Sequence, residues 1–133
     1  KDFQTDDKLS LYQNEMTQVI LNILKNSEDN FLEKNILKPK ITISTQEEHG
    51  TYIISISDNG GGIPEDILPS IFNLYFSTKD EKNGTGLGLY MSKTMIEKHH
   101  RGKLRVYNTE DGVVFKIILY TKDYKEQCIF DEL

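Results

Sequence analysis

The chain has 133 residues, 37% of them hydrophobic and 28% charged, enough apolar material for one core and a single globular domain. A formal net charge of −5 argues against a nucleic-acid-binding domain, which usually presents a basic face. One cysteine, Cys128, excludes an internal disulfide and a thiolate cluster and points to a reducing, cytoplasmic setting; there is no membrane-length apolar run and no signal peptide.

In chain order, residues 1–7 are polar and read as unstructured, as in a piece excised from a larger protein whose membrane status stays open. Residues 9–13 alternate and predict a short strand. A helix follows from residue 15 to about 31, with Met16, Val19, Ile20, Ile23, Leu24 and Phe31 on one stripe and Asn22, Asn26 and Asp29 on a flanking polar face. Pro39 ends helical character. Ile41 and Ile43, then Tyr52, Ile54 and Ile56, alternate in two strands joined by a turn over residues 47–50, and the second strand runs into Asp58. Residues 64–83 are polar to mixed, with short helices expected near 65–68 and 70–74. Leu87, Tyr90, Met91, Thr94 and Met95 give helical spacing over 87–100, ended by Gly102. Residues 103–107 and 113–120 form a hairpin around 108–112, and 121–133 read as a charged tail. Antiparallel hairpins mixed with a few helices predict an α+β fold, two layers, with helices on one face of a mixed, mainly antiparallel sheet.

Two glycine clusters carry the chemistry. Asp58-Asn59-Gly60-Gly61-Gly62-Ile63 contains an Asn-Gly hairpin signal, yet Pro64-Glu65-Asp66 resembles a helix start rather than a returning strand, and three glycines exceed what a tight turn needs. Gly84-Thr85-Gly86-Leu87-Gly88-Leu89 opens a helix, where free N–H groups and the dipole favour phosphate; a flexible hinge is the bland alternative. The spacing is neither the dinucleotide fingerprint nor a Walker loop.

With the helix Gln18–Asn26 these clusters resemble the ATP-binding catalytic domain of sensor histidine kinases, within the group that also holds type II topoisomerases, Hsp90 chaperones and mismatch-repair ATPases. Gln18-Val19-Ile20-Leu21-Asn22-Ile23-Leu24-Lys25-Asn26 is similar to that family's N box, residues 58–63 to its G1 box, Ile71-Phe72-Asn73-Leu74-Tyr75-Phe76-Ser77-Thr78-Lys79 to its F box, and residues 84–89 to its G2 box. The resemblance covers about residues 9–120, with 64–85 as an ATP lid, and implies the Bergerat-type fold. Phe76-Ser77-Thr78-Lys79, and the absence of a basic residue after Asn26, resemble the nitrogen-regulation-type kinases.

The resemblance implies roles. Asp58 accepts a hydrogen bond from the adenine amino group, Gly60 and Gly62 let the loop approach the base, and Ile63 lies against its face. Asn26 holds Mg²⁺ through its side-chain oxygen. Asn22 stands where the ATPase branches carry a glutamate base; an amide cannot take a proton, so phosphoryl transfer is favoured over hydrolysis. Lys79 reaches the γ-phosphate from the lid. Phe72 and Phe76 pack the lid, and Thr85, Gly86, Leu87, Gly88 and Leu89 surround the phosphates. Asp29 replaces a common basic residue, and Val113-Val114 a threonine. His49, His99 and His100 read as surface residues, and Cys128 as inert.

The function implied is a protein-histidine kinase domain that binds ATP and Mg²⁺. It passes the γ-phosphoryl to a histidine on a separate helical dimerisation domain of the same parent protein, and onward to a response-regulator receiver domain. No acceptor histidine motif stands in these residues, so the fragment is expected to be a nucleotide-binding monomer that does not phosphorylate itself. The competing readings are an ATPase clamp, an anti-sigma serine kinase and a non-catalytic binding module.

Overall fold

The computed structural model describes residues 3–74 and 88–120. Helix α1 spans Phe3–Lys34. It therefore absorbs the expected strand at 9–13 and most of the segment read as unstructured. Between residues 3 and 34 there is neither glycine nor proline; once the helix is nucleated, adding residues such as Leu, Lys and Gln costs little. Its end is a Schellman motif: Asn35 takes a left-handed φ of 54°, its N–H donates to the Leu32 carbonyl (3.4 Å), and Ile36 N–H donates to Phe31 (3.1 Å). Termination thus precedes Pro39.

Strands β1 (Ile41–Glu48) and β2 (Thr51–Asp58) pair antiparallel from Ile41 opposite Asp58 to Glu48 opposite Thr51. The turn is thus His49-Gly50 alone, both at positive φ (51° and 78°), and Glu47 and Glu48 belong to the ladder instead of the loop. After β2 comes a 3₁₀ turn, Leu68–Ser70, in place of the two short helices expected. The Pro64 carbonyl accepts from both Ile67 N–H and Leu68 N–H at 2.9 Å, a single turn that Pro69, with no N–H to donate, does not extend. Helix α2 (Gly88–Thr94) passes into a π-helical turn, Met95–His99, with His100 N–H donating to the Met95 carbonyl at 3.2 Å. The left-handed residue that closes this segment is Arg101 (φ 55°), one position before the glycine expected to do so.

Strands β3 (Lys103–Asn108) and β4 (Val113–Tyr120) form the second hairpin, and β4 pairs with β2. The order is β1-β2-β4-β3, and every pairing among the described residues is antiparallel. One face carries Ile54, Ile56, Leu104, Val113, Phe115 and Ile117, and Val19 and Ile23 of α1 and Ile96 of the π turn press onto it. Phe72 meets Phe115 edge-on, with ring centroids 6.3 Å apart. The α+β, two-layer arrangement therefore holds, and among the described residues the helices that pack on the core lie on one side of the sheet.

Candidate functional site

The inner ridge of α1 runs Val19, Ile23, Ser27 at four-residue steps, so the row that fills the core ends in a hydroxyl. Strand β2 ends at the same level in a carboxylate. The two meet: Ser27 Oγ donates to Asp58 Oδ2 at 2.7 Å, and Gly60 N–H donates to Asp58 Oδ1 at 3.0 Å. Asp58 is 7% exposed. An ionised carboxylate offers about four lone-pair sites, so this group keeps acceptor capacity after both bonds. Gly112, from the β3–β4 turn, packs directly on it: a Cβ there would overlap the Asp58 carbonyl oxygen and stand 2.7 Å from Oδ1.

The three glycines after Asp58 each face a protein side chain. A Cβ on Gly60 would press the Phe31 ring (3.1 Å), one on Gly61 would reach Lys34 Nζ (3.1 Å), and one on Gly62 would crowd Asn108 Oδ1 (2.9 Å). The absence of side chains is thus needed first by the fold. Asn59 turns away from the loop, donating from Nδ2 to the Lys38 carbonyl (2.9 Å) and accepting from Lys40 N–H at Oδ1 (2.8 Å). Ile63 is half-buried against the core.

Along α1, Asn22 and Asn26 are half-buried one turn apart on the expected common side. Asn22 ties α1 to α2. Its Nδ2 donates to Ser92 Oγ (3.0 Å) and to the Gly88 carbonyl (3.3 Å), and its Oδ1 accepts from Gln18 Nε2 (3.0 Å). Ser92, fully buried, donates in turn to the Gly88 carbonyl at 2.8 Å. Gly88 and Leu89 are thereby held beside the asparagine helix. Asp29 pairs with Lys25 at 3.4 Å. Val113 faces the core and Val114 stands opposite Ser57, so the hydroxyl common at this place has no substitute in either side chain. Lys79, Phe76, Thr85, Gly86, Leu87 and Cys128 lie outside the described residues.

One expectation is corrected. His100 is not a surface residue but 6% exposed, and its Nε2 lies 2.8 Å from Glu15 Oε1, while His99 Nδ1 lies 3.0 Å from Oε2. Both rings, at the end of the π turn, thus meet the same carboxylate. Burial raises the Glu15 carboxyl, but hydrogen bonds and charge from His99 and His100 outweigh it and leave the group below the usual glutamate range. His49 lies on the exposed β1–β2 turn as expected.

Sequence reasoning missed Ser27, Ser92, Lys34, Asn108 and Gly112. Ser27 had a signal, as the next member of the i, i+4 row after Val19 and Ile23; the others had none within their own segments.

Residues 12–123 match the family described as histidine kinase-, DNA gyrase B-, and HSP90-like ATPase. Sporulation kinase A of Bacillus subtilis is 34% identical over 116 residues, covering 84% of this chain and 18% of that protein. The sensory histidine kinase/phosphatase NtrB of Azospirillum brasilense is 29% identical over 121 residues, covering 80% and 29%. The chain thus spans less than a third of either relative. Among solved structures, the nucleotide-free catalytic domain of the histidine kinase ThkA superposes with a TM-score of 0.69 at 32% identity, covering 81% of this chain and 67% of that one. On these matches, with the antiparallel sheet and the Asp58 loop in place, the chain belongs to the histidine kinase-, DNA gyrase B- and HSP90-like ATPase family and is an ATP-binding catalytic domain of the sensor histidine kinase type.

Proposed function

We propose that this chain is the nucleotide-binding half of a two-component kinase. It binds ATP at Asp58 and positions the γ-phosphoryl for transfer to a histidine on a separate helical dimerisation domain of the parent protein, from which a receiver domain takes it. The observation that carries the reading is the buried Asp58 carboxylate. It is held by Ser27 and Gly60 N–H, keeps lone pairs to spare, and stands at the head of a glycine loop. Such a group accepts the adenine amino donor and rejects guanine, whose carbonyl at that edge brings acceptor to acceptor. Gly60, Gly62 and Ile63 frame the base, and Gly88 and Leu89, with Thr85, Gly86 and Leu87 before them, frame the phosphates. In this reading residues 64–85 are the ATP lid, and Phe76 belongs to it. Lys79 neutralises charge developing on the transferred group.

Asn26 suits Mg²⁺ as a neutral oxygen donor one turn from Asn22. An ion there depends on phosphate oxygens, the pattern magnesium prefers. If Mg²⁺ were held there, Asn26 would supply a protein ligand and the ion would offset phosphate charge. The amide of Asn22 has no basic lone pair, and it is engaged by Gln18, Ser92 and Gly88. It holds α2 against α1 and activates no water, which favours transfer over the ATPase-clamp reading. In this reading the chain is a single cytoplasmic domain, monomeric alone, with its core at about 9–120. Among the described residues no helix is long and apolar enough to cross a membrane.

The test is calorimetric titration with ATP, ADP and GTP, with and without Mg²⁺. Adenine-selective, magnesium-sensitive binding without self-phosphorylation is expected. Equal affinity for GTP, or stable phosphohistidine on the chain alone, refutes it.

A further inference from the structure

The turn between β3 and β4 read in sequence as an ordinary hairpin connection. In the fold it is where the Asp58 loop is fastened. Asn108, the last residue of β3, spends its side-chain amide on the segment after the glycines. Ile63 N–H donates to Asn108 Oδ1 (2.8 Å), and Asn108 Nδ2 donates to the Ile63 carbonyl (2.8 Å) and to Glu65 Oε2 (2.8 Å). One amide side chain thereby engages both the donor and the acceptor of a single residue, as a neighbouring strand does.

The backbone of the turn adds a fourth bond, Gly61 N–H to the Asp111 carbonyl at 3.0 Å, and Gly112 seats Asp58 itself. The turn is closed internally, with Thr109 N–H donating to the Gly112 carbonyl (2.7 Å) and Gly112 N–H to Thr109 Oγ1 (3.0 Å). On the other side, Lys34 Nζ donates to the Gly62 carbonyl at 3.1 Å. A chain with three consecutive glycines has high conformational freedom, and these bonds remove it.

We infer that Asn108 is a positioning residue for nucleotide binding: it sets the place of Gly60, Gly62 and Ile63 relative to Asp58 without touching the nucleotide. The inference rests on the assignment of Asp58 and its loop as the base site. It accounts for a glycine at position 62, where any Cβ would displace the Asn108 carbonyl oxygen.

The test compares Asn108→Asp, Glu65→Gln, their combination and Asp58→Asn in the 133-residue chain. Asn108→Asp keeps the acceptor for Ile63 N–H but sets an oxygen against the Ile63 carbonyl and the Glu65 carboxylate. The expected result is a loss of ATP and ADP affinity by about tenfold, equal for both nucleotides because the base end is affected, which corresponds to about 1.4 kcal/mol. Hydrogen exchange is expected to speed at Gly61 and Ile63 while the β2 and β4 amides keep their protection. Adding Glu65→Gln returns a donor to the new carboxylate and recovers part of the loss, which a merely structural role in the turn does not predict. Should Asn108→Asp prevent folding, Asn108→Ser removes the clamp without adding charge and is read the same way.

Wild-type affinity in the Asn108 variant, beside a tenfold loss in Asp58→Asn, overturns the role of Asn108 alone. Unchanged affinity in Asp58→Asn overturns the base-site assignment, and the inference with it.

Discussion

Asp58→Asn separates the binding role proposed for this carboxylate from its structural one. In the wild type both oxygens are used within the fold: Oδ2 by Ser27 Oγ and Oδ1 by Gly60 N–H. Asp58→Ala therefore strands two buried donors, each costing about 1–3 kcal/mol, and any loss of binding is confounded with loosening of the loop. Asparagine has nearly the same shape. Its Oδ1 still accepts from Gly60, and its amide donates to the Ser27 hydroxyl, which rotates to accept. The fold is expected to change by no more than about 1 kcal/mol. The nucleotide is affected differently, because the adenine amino group now meets a donor where it met a charged acceptor. The loss is the worth of a charge-assisted bond, about 1.5–3 kcal/mol, or roughly 10- to 150-fold in affinity. Calorimetric titration with ADP, beside a thermal melt of the same sample, reads both quantities. A variant that melts with the wild type and binds ADP within about twofold of it refutes the assignment of Asp58 to the base.

The remaining predictions concern the supports of the site. Gly112→Ala forces a methyl group into the Asp58 carbonyl oxygen. It is expected to cost about 1–3 kcal/mol or more by overpacking, read as a lowered urea midpoint at unchanged slope, and to weaken ADP binding as Asp58 shifts. Ser92→Ala removes the acceptor of the Asn22 amide and the donor to Gly88; a loss of about 1–2 kcal/mol in urea unfolding is expected, with faster amide exchange at the start of α2. Glu15→Gln is expected to flatten the acid limb of stability. The Glu15 carboxyl lies below its ordinary range in the folded state, so its stabilisation is present above the unfolded-state value of about 4.3. That stabilisation is lost as pH falls through the lower, folded-state value. Melting temperatures of wild type and variant should therefore converge as pH falls below about 4.3; a gap that stays constant there refutes the contribution of the histidine contacts.

Much of the site was legible because its signals are local. The i, i+4 row of α1, the alternation of β2 and the position of Asp58 at that strand's end follow from backbone periodicity and from the residues in each segment. The strand expected at 9–13 failed for the opposite reason. Five alternating residues carry a weak signal, and an uninterrupted helix before and after them overrides it. The short helices expected at 65–68 and 70–74, on either side of Pro69, gave way to a 3₁₀ turn across it, because segments of four or five residues are too short to carry a helix by themselves.

The sequence by itself placed the residues to which the proposed chemistry is assigned: Asn22 and Asn26 one turn apart on a helix, and Asp58 before three glycines, since helical geometry and turn preference act over a few residues. Only the tertiary structure decided what holds them. Ser27 reaches Asp58 across 31 residues, Asn108 reaches Ile63 across 45, Asn22 reaches Ser92 across 70, and Glu15 meets His100 across 85. Such pairs are made by the order of strands and the packing of helices on one sheet face, and a hydrogen bond of about 3 Å leaves no trace in the local pattern of either partner.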